Sequence, residues 1–159
     1  MNNESLAYQK KILNPFWFKI GMLFKLPSVF FWGIRVTKLE TNSCELTIPF
    51  CWRTQNPFSS VYFAALAGAA ELSTGALCQL HLAGRKPHSM LVVDFKMKYL
   101  KKANTKITFV CNQGDGLSNQ LDKLKDAGDT VTMTMISEGR NIHGETVCLA
   151  EIIWSFKKK

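Results

Sequence analysis

Phe63-Ala-Ala-Leu-Ala-Gly-Ala-Ala-Glu-Leu-Ser-Thr-Gly75 decides how this chain is read. The run is apolar and made largely of small residues, and it predicts a buried helix that continues to about Leu82. Glu71 lies inside it as the only formally charged residue between Arg53 and Arg85. A carboxylate on a buried helix loses hydration and must be compensated by hydrogen bonds, by a neutralising partner or by protonation. Its neighbours one turn away are Ala67, Gly68, Thr74 and Gly75. Such small residues let another backbone approach, or leave a narrow channel beside the acid. Close packing on a sheet explains the alanines and glycines equally well, but it leaves Glu71 unexplained.

On the N-terminal side, residues 6–26 read as one amphipathic helix stopped by Pro27. Residues 34–40 and 44–50 flank Thr41-Asn-Ser and predict a hairpin with Leu46, Ile48 and Phe50 on one face. A loop over 53–60 follows, with Ser59 or Ser60 available to cap the central helix. Beyond Gly84 the period changes. Val93, Phe95, Met97 and Tyr99 alternate with Asp94, Lys96 and Lys98, which predicts a strand with a wet, basic face. A second strand is expected from Lys106 to Cys111. Leu117, Leu121 and Leu124 have the spacing of a short helix that ends at Gly128. The alternating run from Thr130 to Met135 and the one from Val147 to Phe156 complete the strands, the latter after a turn at Asn141-Ile-His-Gly. The last run places Cys148, Ala150, Ile152, Trp154 and Phe156 on one side. The order predicts an α+β domain, residues 33–159, whose mostly antiparallel sheet curls around one long helix, with residues 1–32 as a helical extension packed on it. Open sheet edges in such a design favour a homodimer.

Composition narrows the function. The 159 residues suit one domain, and the net charge of +8 suits an anionic partner. No helix-turn-helix, zinc finger or RNP aromatic motif supports nucleic acid. The five cysteines are odd in number and widely spaced, with no C-x-x-C pair and no histidine cluster. Reduced thiols in a cytoplasmic protein, without a metal, are therefore expected. The N-terminus lacks a basic n-region. Lys19, Lys25 and Pro27 interrupt the apolar stretch 15–34, and Glu71, Gln79, His81 and two glycines interrupt 61–82, so no stable membrane insertion is expected, with interfacial membrane contact by 15–34 as the lesser alternative.

The free N–H groups at the start of the central helix, around 61–64, would stabilise a carbonyl oxygen that gains charge. Asn56, just before them, could hold a thioester or a water, or simply make an Asn-Pro turn. The pattern of Asn56, a helix start at Tyr62-Phe63-Ala64 and an acid fifteen positions after the Asn is then followed by Leu91-Val-Val-Asp-Phe-Lys-Met-Lys-Tyr-Leu-Lys-Lys-Ala. It resembles the hot-dog-fold acyl-CoA thioesterases of the phenylacetyl-CoA and 4-hydroxybenzoyl-CoA type over roughly residues 33–156. Asn-Pro-Phe at 56–58 and Ala-Ala-Glu-Leu-Ser-Thr-Gly at 69–75 liken it most to an uncharacterised thioesterase-like branch.

The resemblance implies that Glu71 is a general base or nucleophile, that the Phe63 N–H belongs to an oxyanion hole, and that Asn56 lies beside the thioester. It implies a site shared between two subunits, with Tyr62, Ala64, Thr74 and Gly75 along the substrate path. Lys98, Lys101 and Lys102 would attract coenzyme A phosphates, within a basic strip that includes Arg85, Lys86, Lys96 and Lys106. The partner would be an acyl-CoA or acyl carrier thioester and the assembly a homodimer or a dimer of dimers. No cofactor is needed beyond the coenzyme A of the substrate. Tyr62-Phe63-Ala64 stands where many relatives carry His-Gly-Gly, and the apolar Leu91-Val92-Val93 where many carry a Ser or Thr. These departures motivate an alternative, a non-catalytic acyl or acyl-CoA binding module. Phe16-Trp17-Phe18 and Phe30-Phe31-Trp32 are either core packing or a lid over an acyl channel.

Overall fold

Twenty residues without a proline form the central helix α4, Phe63–Leu82, in a computed structural model that describes residues 1–85 and 87–159. Ala65, Ala69, Ala70, Leu77 and Cys78 are fully buried, because strands wrap one side of α4 and N-terminal helices lie on the other. Lys86, counted above in the basic strip, lies outside the described residues. Ser59 and Ser60 do not cap α4. Ser59 sits in the loop with φ 56°, Ser60 turns its hydroxyl to Asn56 Oδ1, and the cap residue is Tyr62, with no side-chain bond.

The single helix expected over 6–26 is three: α1 Asn3–Leu13, α2 Pro15–Lys25 and α3 Pro27–Trp32. Proline lacks an N–H and pushes the preceding residue out of the helical region, so Asn14 and Leu26 become boundaries. Asn14 serves the new start, its Oδ1 accepting from the N–H of Phe16 at 3.0 Å and of Trp17 at 3.2 Å. Proline at the first position costs nothing there, so Pro27 starts a helix as well as stopping one. Gly33, at φ 70°, ends α3 in the left-handed conformation.

The strands are β1 Arg35–Leu39, β2 Cys44–Ile48, β3 His88–Tyr99, β4 Ile107–Cys111, β5 Thr130–Arg140 and β6 Thr146–Lys158. They form one antiparallel sheet in the order β1-β2-β4-β5-β6-β3. Its inner face buries Leu46, Ile48, Ile107, Phe109, Met135, Ile152 and Phe156. The even alternation expected along 93–99 is broken. A bulge between Val92 and Asp94 shifts the phase, so that Met90 and Val92 before it and Phe95 and Met97 after it pack on the core while Val93 is exposed; Tyr99, in phase with Met97, is exposed at the end of the strand. One inserted residue exchanges the faces, which a strict period of two cannot register. A short helix, α5 Gly114–Leu121, rests on the β1–β2 turn and buries Leu117 and Leu121, with Leu124 buried just beyond it.

All five cysteines are free thiols, and four are buried. Among the described residues α4 alone has the length and hydropathy of a membrane-crossing helix, and it is mostly buried inside the fold, so no membrane insertion is indicated.

Candidate active site

Gly68, Glu71 and Gly75 follow one another along α4, Gly68 against α3 and Gly75 against Trp154 of β6. Gly68 accommodates α3, since a Cβ there would come within 2.8 Å of the Trp32 ring. One turn further on, the extension leaves α4 uncovered and a cavity of about 380 Å³ opens. α1 and α2 supply Ile12, Trp17, Phe18 and Met22 to its wall, α4 supplies Glu71, Leu72, Gly75 and Gln79, and the sheet supplies Met90 and Trp154. Glu71 is its only acid, with Lys11 and Lys25 also on the lining.

The Glu71 carboxylate has no salt-bridge or hydrogen-bond partner among the described residues. Burial raises its pKa above the usual glutamate value of 4.5. Gly75 makes the space: a Cβ there would stand 3.3 Å from Glu71 Oε1 and 3.4 Å from Trp154 Cζ2. Thr74 faces inward. Its buried hydroxyl donates to the Glu71 carbonyl at 2.9 Å and accepts from Trp154 Nε1 at 2.9 Å, which fixes the indole that walls the cavity.

The other expected site residues gather elsewhere. Asn56 Oδ1 accepts from the N–H of Phe58 at 2.9 Å, the N–H of Ser60 at 3.3 Å and the hydroxyl of Ser60 at 3.2 Å. The loop uses this oxygen for its own turn and leaves the amide NH2 as the group with donating capacity. At the start of α4 the N–H groups of Phe63 and Ala64 have no backbone acceptor among the described residues. Around them stands an aromatic cluster: the Phe63 ring meets Tyr62 at 4.8 Å and Tyr99 at 6.3 Å, and Tyr99 Oη donates to the Phe63 carbonyl at 3.2 Å. Phe63 precedes Glu71 by two turns, about 12 Å along the axis at 1.5 Å per residue. One chain therefore does not bring Asn56, Phe63 and Glu71 together. Lys98 and Lys102 are exposed without an ion pair among the described residues, whereas Lys101 is paired with Glu145 at 2.5 Å. Of the α2 wall, Trp17 and Phe18 belong to the run weighed as lid or core packing, and they do border the cavity, whereas Met22, Met90, Trp154 and the place of Tyr99 beside Phe63 had no signal in the sequence. Tyr99 meets Phe63, and Trp154 and α2 reach α4, only through the tertiary fold. Among the described residues no three His, Cys, Asp or Glu side chains cluster as a metal site requires.

Residues 16–155 match the family model described as a domain of unknown function, DUF4442. No curated protein matches the chain. Among solved structures, a Pseudomonas aeruginosa protein of unknown function named a probable thioesterase superposes with a TM-score of 0.75 at 18% identity, over 94% of this chain and 99% of that one. A Chlorobaculum tepidum protein of unknown function gives 0.76 at 16% identity, over 93% and 99%. A Haemophilus influenzae thioesterase gives 0.68 at 16% identity, over 87% and 88%. What is shared at these identities is the hot-dog fold, and the resemblance carried by residues 56–58 and 69–75 holds at that level.

Proposed function

The chain belongs to the DUF4442 family, and we propose that it hydrolyses acyl thioesters, with Glu71 as the base and acyl-CoA as the substrate class. The observation that carries this reading is the unpartnered Glu71 carboxylate on an apolar cavity of about 380 Å³. That volume lies within the roughly 300–1,000 Å³ usual for small-molecule sites, and its walls suit an acyl chain. A glutamate whose pKa is raised by burial is a better proton acceptor near neutrality than an exposed one.

In the proposed reaction Glu71 takes a proton from water and the hydroxide adds to the thioester carbonyl. The oxyanion is met by the free N–H groups of Phe63 and Ala64 of the partner subunit, with the Asn56 amide beside it. The C–S bond breaks, the departing thiolate takes the proton from Glu71, and a carboxylic acid and a thiol leave. Two chains are required because one chain holds these groups two turns apart. The edge strand β3 supports pairing, with Leu91 and Val93 exposed at 65% and 52%. Of the three lysines expected to attract coenzyme A phosphates, Lys98 and Lys102 have no ion pair among the described residues, and Lys101 would first have to leave Glu145. Tyr62 and Ala64 flank the oxyanion position, Gly75 gives the carboxylate room, and Thr74 acts through Trp154.

Purified protein offered a panel of acyl-CoAs is expected to release free thiol, and Glu71→Ala to abolish the release. The second reading, an acyl-binding module without catalysis, is favoured by one observation: no described side chain is bonded to Glu71 to hold a water against it. Calorimetric binding of acyl-CoA with no release across the panel would favour that module, and absence of both would overturn both readings.

A further inference from the structure

Helix α2 is built inside out for a protein surface. Of its eleven residues only Phe18 and Met22 are buried. Phe16, Trp17, Ile20, Leu23 and Phe24 are exposed, Phe24 at 81%. The apolar surface continues beyond Pro27, where Phe30 and Phe31 are open and the Phe31 ring meets the exposed Trp52 ring at 5.8 Å. Single exposed apolar residues are ordinary, but a contiguous set on one helix pair marks a contact face.

The charges in the sequence of this face have one sign. No Asp or Glu occurs between Glu4 and Glu40, a span that holds Lys10, Lys11, Lys19, Lys25, Arg35 and Lys38. On one flank of α2 a second cavity, of about 370 Å³, is lined by Lys19, Arg35, Arg53 and Lys106 and by no carboxylate. None of these four cations takes part in the salt bridges of the described residues. The backbone makes room for one of them: a Cβ on Gly33 would lie 3.0 Å from Arg53 Nη2.

We propose that this face docks the protein peripherally on an anionic bilayer surface. The exposed side chains of α2 and α3 enter the interfacial region, and Lys19, Arg35, Arg53 and Lys106 take lipid phosphates. Charge decides the occupant. A second copy seated symmetrically on the same face would set these cations against their own kind, whereas an anionic leaflet supplies both phosphates and an apolar boundary. Aromatic rings and snorkelling lysines suit that depth. Trp17 and Lys25 of the same helix, and Leu26 just after it, border the Glu71 cavity, so a docked molecule holds that cavity next to the lipid. Docking itself does not depend on the proposed hydrolysis.

The test is co-sedimentation of the full chain with vesicles of phosphatidylcholine alone and of phosphatidylcholine mixed with phosphatidylglycerol. Binding is expected to the mixed vesicles only, and to weaken with added salt. Lys19→Glu with Arg35→Glu is expected to lower partitioning by roughly 30-fold or more. Leu23→Ser with Phe24→Ser is expected to lower it by about tenfold or more. Thermal melting identifies the folded variants, and Lys19→Gln with Arg35→Gln replaces the charge reversal if that one fails to fold. Neither Leu23 nor Phe24 borders the Glu71 cavity, so their double variant keeps its rate on micelle-free acyl-CoA, which separates a failure of docking from a failure of hydrolysis. Lack of partitioning to the mixed vesicles, or partitioning that either double variant leaves intact, would overturn the proposal. So would light scattering in which Leu23→Ser with Phe24→Ser splits an oligomer, because the face would then be covered by another copy.

Discussion

An ionised Glu71 without a partner on the wall of an apolar cavity opposes folding. Because burial raises its pKa, the folded chain holds that proton more tightly than the unfolded chain does. Its contribution to stability is therefore fully present in acid, declines as the pH rises through the unfolded value near 4.5, and is gone above the raised folded value. Glu71→Gln is accordingly expected to raise the melting temperature at neutral pH, with the gain shrinking below the ordinary glutamate pKa; calorimetry across pH checks this. Gly75→Ala should separate the site from the scaffold. Alanine is favoured over glycine in a helix by about 1 kcal/mol, but its Cβ would crowd both Glu71 Oε1 and the Trp154 ring. Stability is expected to hold, while turnover falls by up to about 100-fold through misplacement of the carboxylate. Parallel melting and steady-state rates distinguish the two effects. Glu71 was legible in the sequence because a lone charge in an apolar run stands out. Its cavity was legible only in part: Phe16-Trp17-Phe18 reads as either a lid or core packing, whereas Met22 far before Glu71 and Trp154 far after it come to α4 only in the folded chain.

At the scale of elements, periodicity located α4 and most of the strands because their one-sided burial is written in apolar spacing. It failed where backbone chemistry overrides spacing, as at Asn14-Pro15, where an apparent single helix divides, and at the Val92–Asp94 bulge, which turns Val93 outward. The seat of α5 shows how closely elements can meet. Gly114 N–H donates to the Asn42 carbonyl at 3.1 Å, and the Asp115 N–H donates to Asn42 Oδ1 at 3.0 Å. A Cβ on Gly114 would fall 1.8 Å from the Thr41 carbonyl oxygen and 2.6 Å from Asn42 Cα. These are backbone atoms that cannot swing aside. Gly114→Ala is expected to destabilise the fold by roughly 3 kcal/mol or more, read as a shift in urea midpoint. Gly116, whose Cβ would meet only the flexible end of Met133 at 3.2 Å, is the control expected to tolerate alanine.

The proposed chemistry belongs to the whole molecule, because the free N–H groups of α4 and the carboxylate two turns later can meet on one substrate only if they come from different chains. Light scattering is expected to give at least twice the 18.0 kDa of one chain. Val93→Asp on the exposed edge β3 is expected to shift it towards the monomer and to lower turnover in step, whereas a monomer with full activity would remove the shared site. The measurement that bears most directly on Glu71 is the pH dependence of thiol release from acyl-CoA by the intact protein and by Glu71→Gln. The rate of the intact protein is expected to climb with pH through a midpoint above 4.5 and then level, and that of Glu71→Gln to be about 10²–10⁴-fold lower with no such climb. The same profile in both proteins would contradict a role for Glu71 as the base.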